Sequence, residues 1–361
     1  MRSFLILLLL AIPSLRVNGQ VTLVDSLDSG SGKITLEGYV DTYFAYDFNK
    51  PPTGDRPYFV SMARHNEMTI NLAYLALNYS SSRVRARLAP GFGTYMNANY
   101  ANEPGTLKNI LEGYGGVKPW KDRNIWIDVG VFNAPYTNEG AISKGHLSYT
   151  RSFSSEYTPY YLSGIKVTLP LAQKLNAYLF LINGWQQILD QNNGKSLGTQ
   201  LEYRPTEAWL INWSTYVGSE ESSSHPEYRT RYFSDVYVTY RKGNWSATSC
   251  LYVGLQQRDG MTTASWWQAN VIGQYSFTKK LSLVGRLEYF NDPEEVQITP
   301  ITGITGFNTF SSSLGMNLKV TENALFRVEG RTFLSEKSVY QRDSNPVKNS
   351  NLFATNLTVW F

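Results

Sequence analysis

The sequence predicts an all-β fold, a transmembrane antiparallel up-and-down β-barrel of about sixteen strands. Three observations predict it. Apolar residues recur with period two rather than 3.6 along the chain. The gaps between such segments alternate short and long. An export signal precedes a chain that holds no apolar run long enough to cross a bilayer as a helix.

The export signal comes first. Arg2 gives a positive start, Phe4 to Ile12 is unbroken and apolar, and Val17-Asn18-Gly19 offers a cleavage site. That layout reads as a signal peptide over 1–19, removed from the mature chain. Residues 20–32 form a short Ser/Gly/Asp leader, too small for a plug domain, and 33–361 form the barrel domain. Beyond the signal, the longest apolar run is Ala177 to Ile182. The charged fraction is 17%, below the roughly 25% of soluble domains, while 25 Tyr and 9 Trp raise the aromatic share. A formal charge of +4 with no basic patch argues against nucleic acid. Cys250 is the single cysteine, so no disulfide framework holds the fold.

In 33–48, Ile34, Leu36, Val40, Phe44 and Tyr46 share one face, and Glu37, Asp41 and Asp47 the other. Later segments repeat the pattern: Arg83, Arg85 and Arg87 against Val84, Ala86 and Leu88, and Trp126 and Asp128 against Ile127, Val129 and Val131. The expected strands are 33–48, 67–79, 83–95, 109–118, 124–133, 160–169, 175–186, 196–204, 208–218, 230–241, 245–257, 265–277, 281–291, 307–320, 324–334 and 351–361. Splitting or merging segments would give about fourteen or eighteen. Segments 67–79 and 175–186 alternate poorly, as a bulge or a register slip would cause.

Long gaps, such as 49–65, 96–108 and 134–159, alternate with short ones such as 80–82 and 278–280. A membrane barrel has this rhythm, with short periplasmic turns and long outer loops, and an even strand count puts both chain ends on the periplasmic side. Leu357, Val359 and the final Phe361 form the kind of terminal pattern read by the barrel assembly machinery. Trp120, Trp209, Trp245, Trp266, Trp267 and Trp360 sit near strand ends, where aromatic girdles meet the lipid interface.

A family resemblance follows from two segments. Gly38-Tyr39-Val40-Asp41-Thr42-Tyr43-Phe44-Ala45-Tyr46-Asp47-Phe48-Asn49-Lys50-Pro51 resembles the opening strand of the OmpL-like β-barrel porin-2 family. Arg87-Leu88-Ala89 with Gly93-Thr94-Tyr95-Met96-Asn97-Ala98-Asn99-Tyr100 is similar to that family too. The resemblance implies an outer-membrane barrel and supplies no catalytic site.

No enzyme constellation, cofactor site or metal site emerges: His65, His146 and His225 fall in separate long loops without ligand spacing. Strand charges are more informative. A Lys or Arg on the lipid face near the midplane costs about 2–4 kcal/mol, so they should face the lumen. The pore-lining candidates are Glu37, Asp41, Arg83, Arg85, Arg87, Glu112, Asp128, Lys166, Arg286, Glu288, Arg327, Glu329 and Arg331. Most are expected to pair off as salt bridges; the Arg83/Arg85/Arg87 row is the best candidate for an ion filter. Loop 134–159, the longest, carries Glu139, Lys144, His146, Arg151 and Glu156; it is either a constriction folded into the barrel or an exposed surface loop. The expected function is passive diffusion of small hydrophilic solutes or ions through a water-filled outer-membrane barrel, with lipid and small polar solutes as partners and a homotrimer as one possible assembly. The alternative is a structural or adhesive barrel with a blocked lumen, binding through its outer loops.

Overall fold

The computed structural model describes residues 21–24 and 32–361 of the 361-residue chain. The expected signal peptide lies outside the described residues, as do Gln20 and 25–31 of the leader. The barrel strands are β1 (Lys33–Asp47), β2 (Met68–Ser80), β3 (Val84–Phe92), β4 (Ile110–Val117), β5 (Trp126–Asn133), β6 (Tyr161–Ala172), β7 (Leu175–Ile182) and β8 (Ser196–Tyr203), followed by β9 (Trp209–Ser219), β10 (Tyr228–Lys242), β11 (Trp245–Arg258), β12 (Ala264–Ser276), β13 (Leu281–Asp292), β14 (Phe307–Thr321), β15 (Ala324–Ser335) and β16 (Asn349–Trp360). Each pairs antiparallel with the next. β16 returns to β1, from Trp360↔Tyr39 to Leu352↔Asp47, and closes the cylinder. Val21–Val24 pairs with the stretch of β1, Ile34–Leu36, that β16 does not reach.

Every expected segment is a strand. The largest departures are 83–95, which stops at Phe92, 160–169, which runs on to Ala172, and 175–186, which stops at Ile182. The outer face carries Val40, Leu88, Val129, Leu197, Leu251, Leu287 and Leu314, all exposed. Apolar area in water costs about 25 cal/mol per Å², so a band this continuous is stable only against hydrocarbon. Aromatic pairs mark its edges: Trp209 with Tyr240 and Trp245 with Tyr275 near the short turns, and Trp267 with Tyr289 near the long loops. Trp266 and Trp360 depart from the expected girdle. Trp266 faces inward and is fully buried against Trp185, and Trp360 packs against a buried inner cluster. Alternation decides this, because neighbours 266 and 267 must point to opposite sides.

The poor alternation of β2 is a bulge. Asp41 pairs with Leu72 and Thr42 with Ile70, leaving Asn71 unpaired in the ladder and buried beside Leu72. β7 has another cause: its inner face carries Phe180 and Ile182, which pack into a hydrophobic core inside the barrel.

That core fills part of the lumen at its long-loop end. At the long-loop end the inner wall is aromatic. Tyr216, Phe233, Tyr252, Phe290 and Phe333 from the strands pack with Phe59, Phe153, Trp185 and Tyr340 from the loops. Aromatic area that would otherwise face water is removed from it by the infolded loops.

Candidate functional site

The site is the occupied lumen, and it begins at a pair of glycines. Gly130 on β5 and Gly164 on β6 face each other across the ladder with φ of 137° and 151°. A Cβ at either would lie 2.2 Å from a neighbouring backbone oxygen, Gly113 O or Leu181 O, so only glycine fits. Beyond this kink the alternation of β5 breaks. Val131, expected on the lipid face, is buried together with its neighbour Phe132.

From there residues 134–160 turn into the barrel and run along its interior toward the short turns. At the start, Thr137 N donates to Asp235 Oδ2 at 3.1 Å, and Asn138 Nδ2 donates to Thr248 Oγ1 at 3.1 Å. At the tip, Arg241 Nη2 donates to Gly145 O at 2.7 Å and Asn317 Nδ2 to Leu147 O at 2.7 Å. On the return, Tyr149 N and Thr150 N donate to Glu329 Oε2 at 3.0 and 2.8 Å, and Phe153 N donates to Glu288 Oε2 at 2.9 Å. The loop therefore runs inside the barrel, bonded to its wall, and not over the outer surface.

Six of the candidate charges hold the loop. Arg327 donates to Ser143 O at 2.9 Å and Ser143 Oγ at 2.6 Å. Asp41 accepts from Ser143 Oγ at 3.3 Å and from Asn356 at 2.8 Å. Arg286 binds Ser148 and Thr150 of the loop and lies 3.6 Å from Glu139 and 3.7 Å from Glu329. Arg331 pairs with Glu288 and donates to Arg151 O at 2.6 Å. All these charges are buried. Isolated, each would cost several kcal/mol; paired and hydrogen-bonded, they fix one geometry of the loop.

The four loop candidates divide. Glu139 accepts from Ser152 N at 2.7 Å, and Arg151 donates to Ala141 O at 2.5 Å, so both brace the loop from within. Glu156 accepts from Val60 N at 2.7 Å, tying this loop to the first long loop, and burial raises its pKa against that bond. Lys144 is exposed at the tip. His146, one residue from the tip, accepts from Gly140 N at 3.0 Å. Burial first, then Arg151, Arg327, Arg286 and Arg241, pushes its pKa well below the usual imidazole value.

The remaining wall charges form a ladder on β1 and β3–β6. Arg85 bridges Asp128 at 2.5 Å and stacks over Trp126 at 4.4 Å, while Lys166 reaches Asp128 at 3.5 Å. Arg87 bridges Glu112 at 2.5 Å and Glu37 at 3.1 Å. The expected three-arginine row is thus corrected. Arg83 precedes β3, is exposed, and donates to the carbonyls of Lys118 and Pro119; the other two are neutralised by carboxylates. Arg85 and Lys166 keep partly open side chains, 30% and 19% exposed, whereas Arg286 and Arg331 are fully shut in. The loop lies against the β10–β16 wall and leaves the β3–β8 wall more open toward the short turns, while at the long-loop end Tyr95, Met96 and Tyr100 cover Ala89, Leu111 and Tyr161.

Sequence reasoning missed Ser143, Thr150 and Asn317, which carry the loop's contacts with the wall. Thr150 had a signal in the Ser/Thr-rich run Ser148-Tyr149-Thr150-Arg151-Ser152-Phe153-Ser154-Ser155, suited to packing inside a polar wall; Ser143 and Asn317 had none. Leu357, Val359 and Phe361 stand on the outer face. Phe361 exchanges two backbone hydrogen bonds with Gly38 at 3.0 Å, and its ring fills the space a side chain at Gly38 would need.

The match of residues 33–361 to the family described as "Putative beta-barrel porin-2, OmpL-like" decides the kinship. The chain belongs to that family. As a member of the β-barrel porin-2 family it is an outer-membrane porin barrel. Solved structures share the fold. An anion-selective porin from Comamonas acidovorans superimposes with a TM-score of 0.63 at 9% identity, covering 91% of this chain and 100% of that one. OmpT of Vibrio cholerae gives 0.60 at 13%, covering 93% and 99%. OmpF of Salmonella typhi, in complex with daunomycin, gives 0.61 at 12%, covering 94% and 100%. No curated protein matches the chain by sequence.

Proposed function

We propose that this porin barrel passes small hydrophilic solutes or ions passively, and that loop 134–160 sets the passage. One observation carries the reading: the loop crosses the interior and is hydrogen-bonded to buried charged side chains of β10, β13, β15 and β1. Solutes would move along the β3–β8 side, where Arg85 and Lys166, both paired with the buried Asp128, stay within reach of water. Mixed signs there predict weak charge selectivity. No bond chemistry, cofactor or metal enters this reading. The short turns face the periplasm, and Leu357, Val359 and Phe361 present the assembly signal to the membrane side of the barrel.

The test is single-channel recording in a planar bilayer. The native barrel is expected to give small ohmic steps, and deletion of 138–156 to raise the conductance several-fold. An unchanged conductance in the deletion would remove the loop from the mechanism. The aromatic core at the long-loop end favours a second reading, a barrel whose blocked lumen leaves its outer loops to bind a surface partner. Silence from a folded, heat-modifiable native barrel would favour it.

A further inference from the structure

A cavity of about 340 Å³ opens beneath the loop tip at the short-turn end. Five cationic side chains line it, Lys144, Arg241, Lys279, Lys280 and Lys319, against one carboxylate, Glu322. Glu322 is already bound to Lys319 at 2.5 Å. Among the described residues no carboxylate pairs with Lys144, Lys279 or Lys280. These cations are not a run on one solvated face. They converge from the loop tip, the end of β10, the β12–β13 turn and the end of β14. Arg241 is fixed in place by its bond to Gly145 O, and the Ser276 and Ser282 hydroxyls, 3.0 Å apart, add neutral donors.

We propose that this cavity binds a small multivalent oxyanion, with Lys144 on one side and Lys279 and Lys280 on the other. Positive groups crowded into a mouth with low-dielectric walls focus their field, and a single ligand with two or more negative charges satisfies them at once. A neutral sugar or a cation has no comparable partner there. Because Lys144 rides on the loop tip and Lys279 and Lys280 on the wall, the bound anion joins loop to wall. The site thus deepens the porin reading on which it rests: an anionic solute seats the loop that restricts the lumen. The cavity is bordered by inner-face residues, among them Asn317, so a dissolved anion reaches it rather than a lipid headgroup.

The experiment is isothermal titration of inorganic pyrophosphate into the full-length barrel, folded in a zwitterionic detergent. Native protein is expected to show saturable binding, weakened about tenfold or more by K279E/K280E and by K144E. Lys121→Glu, on a different short turn, is expected to leave it unchanged. Absence of saturable heat in the native protein overturns the proposal, and so does equal weakening by Lys121→Glu, which would mark diffuse rim charge. Loss of pyrophosphate binding when phosphatidylglycerol is added to the micelles assigns the site to a headgroup and overturns the free-solute assignment. No current is needed for this measurement. A barrel that conducts without binding sinks this inference alone, and one that binds without conducting sinks only the diffusion reading.

Discussion

Glu329 is the strongest single tie between loop and wall, and Glu329→Gln tests it. The carboxylate accepts from Tyr149 N at 3.0 Å, Thr150 N at 2.8 Å and Thr150 Oγ1 at 2.7 Å. A hydrogen bond to a charged group contributes about 1.5–3 kcal/mol. Glutamine matches the shape, but its one oxygen cannot serve all three donors, and its amide turns a donor toward one of them. Arg286, 3.7 Å away, keeps only Glu139 and Glu288 as nearby carboxylates. The expected loss is about 2–5 kcal/mol of loop anchoring, which raises the released population roughly thirty- to several-thousand-fold. The strand ladder does not pass through this side chain, so heat-modifiability on a gel should persist. Two readouts follow: single-channel conductance, and labelling of a Ser155→Cys reporter, a buried position bonded only within its own loop. Cys250 is buried and should stay silent. Larger or flickering conductance with faster labelling supports the tie. Native conductance together with native protection at residue 155 would refute it.

Other expectations are more local. His146 is held neutral by burial and four arginines, so the seated loop binds fewer protons than a released one. Seating is therefore complete above the free imidazole value of about 6.5 and weakens as pH falls below it. Conductance should rise between about pH 7 and 5, and His146→Gln, which keeps an acceptor for Gly140 N, should remove that component of the pH profile. Gly38→Val would place a Cβ 2.1 Å from the Phe361 ring. Such overpacking costs about 1–3 kcal/mol, to be read as a lower heat-modifiable yield, with Phe361→Ala restoring part of it. Arg83→Gln should leave the reversal potential in a salt gradient unmoved, since Arg83 serves a turn and not the lumen; a shift would restore the filter row.

Period-two alternation exposed the strands because one face of each meets lipid, and hydrocarbon favours apolar residues there. The inner face obeys no such rule. Phe180, Phe290 and Phe333 point inward because loops bury them, and nothing in β7, β13 or β15 alone announces that a loop will arrive. Asn71 hid in the same way: one extra residue shifts the parity of half a strand, and only the partner's register shows where. The site charges were legible as inward groups, since lipid excludes them. Their division into loop anchors, such as Arg327, and a wall ladder, such as Arg87 with Glu37 and Glu112, depends on which wall the loop leans on. That choice is made at Gly130 and Gly164, two glycines among 28, whose positive φ has no signature in composition.

Ser143 also bears on how the cylinder comes together. Its hydroxyl touches Asp41 on β1, Arg327 on β15 and Thr358 on β16, so one residue meets both margins of the join between first and last strands. Those margins are more than 300 positions apart, as the Asn356–Asp41 bond shows with a separation of 315, and bringing them together is the entropically costly event of assembly. A segment from the middle of the chain thus clasps both edges of the seam from inside, a staple across the join that the ladder alone does not provide. Substitutions at Ser143 are expected to slow barrel closure, read as the rate at which the heat-modifiable form appears on refolding.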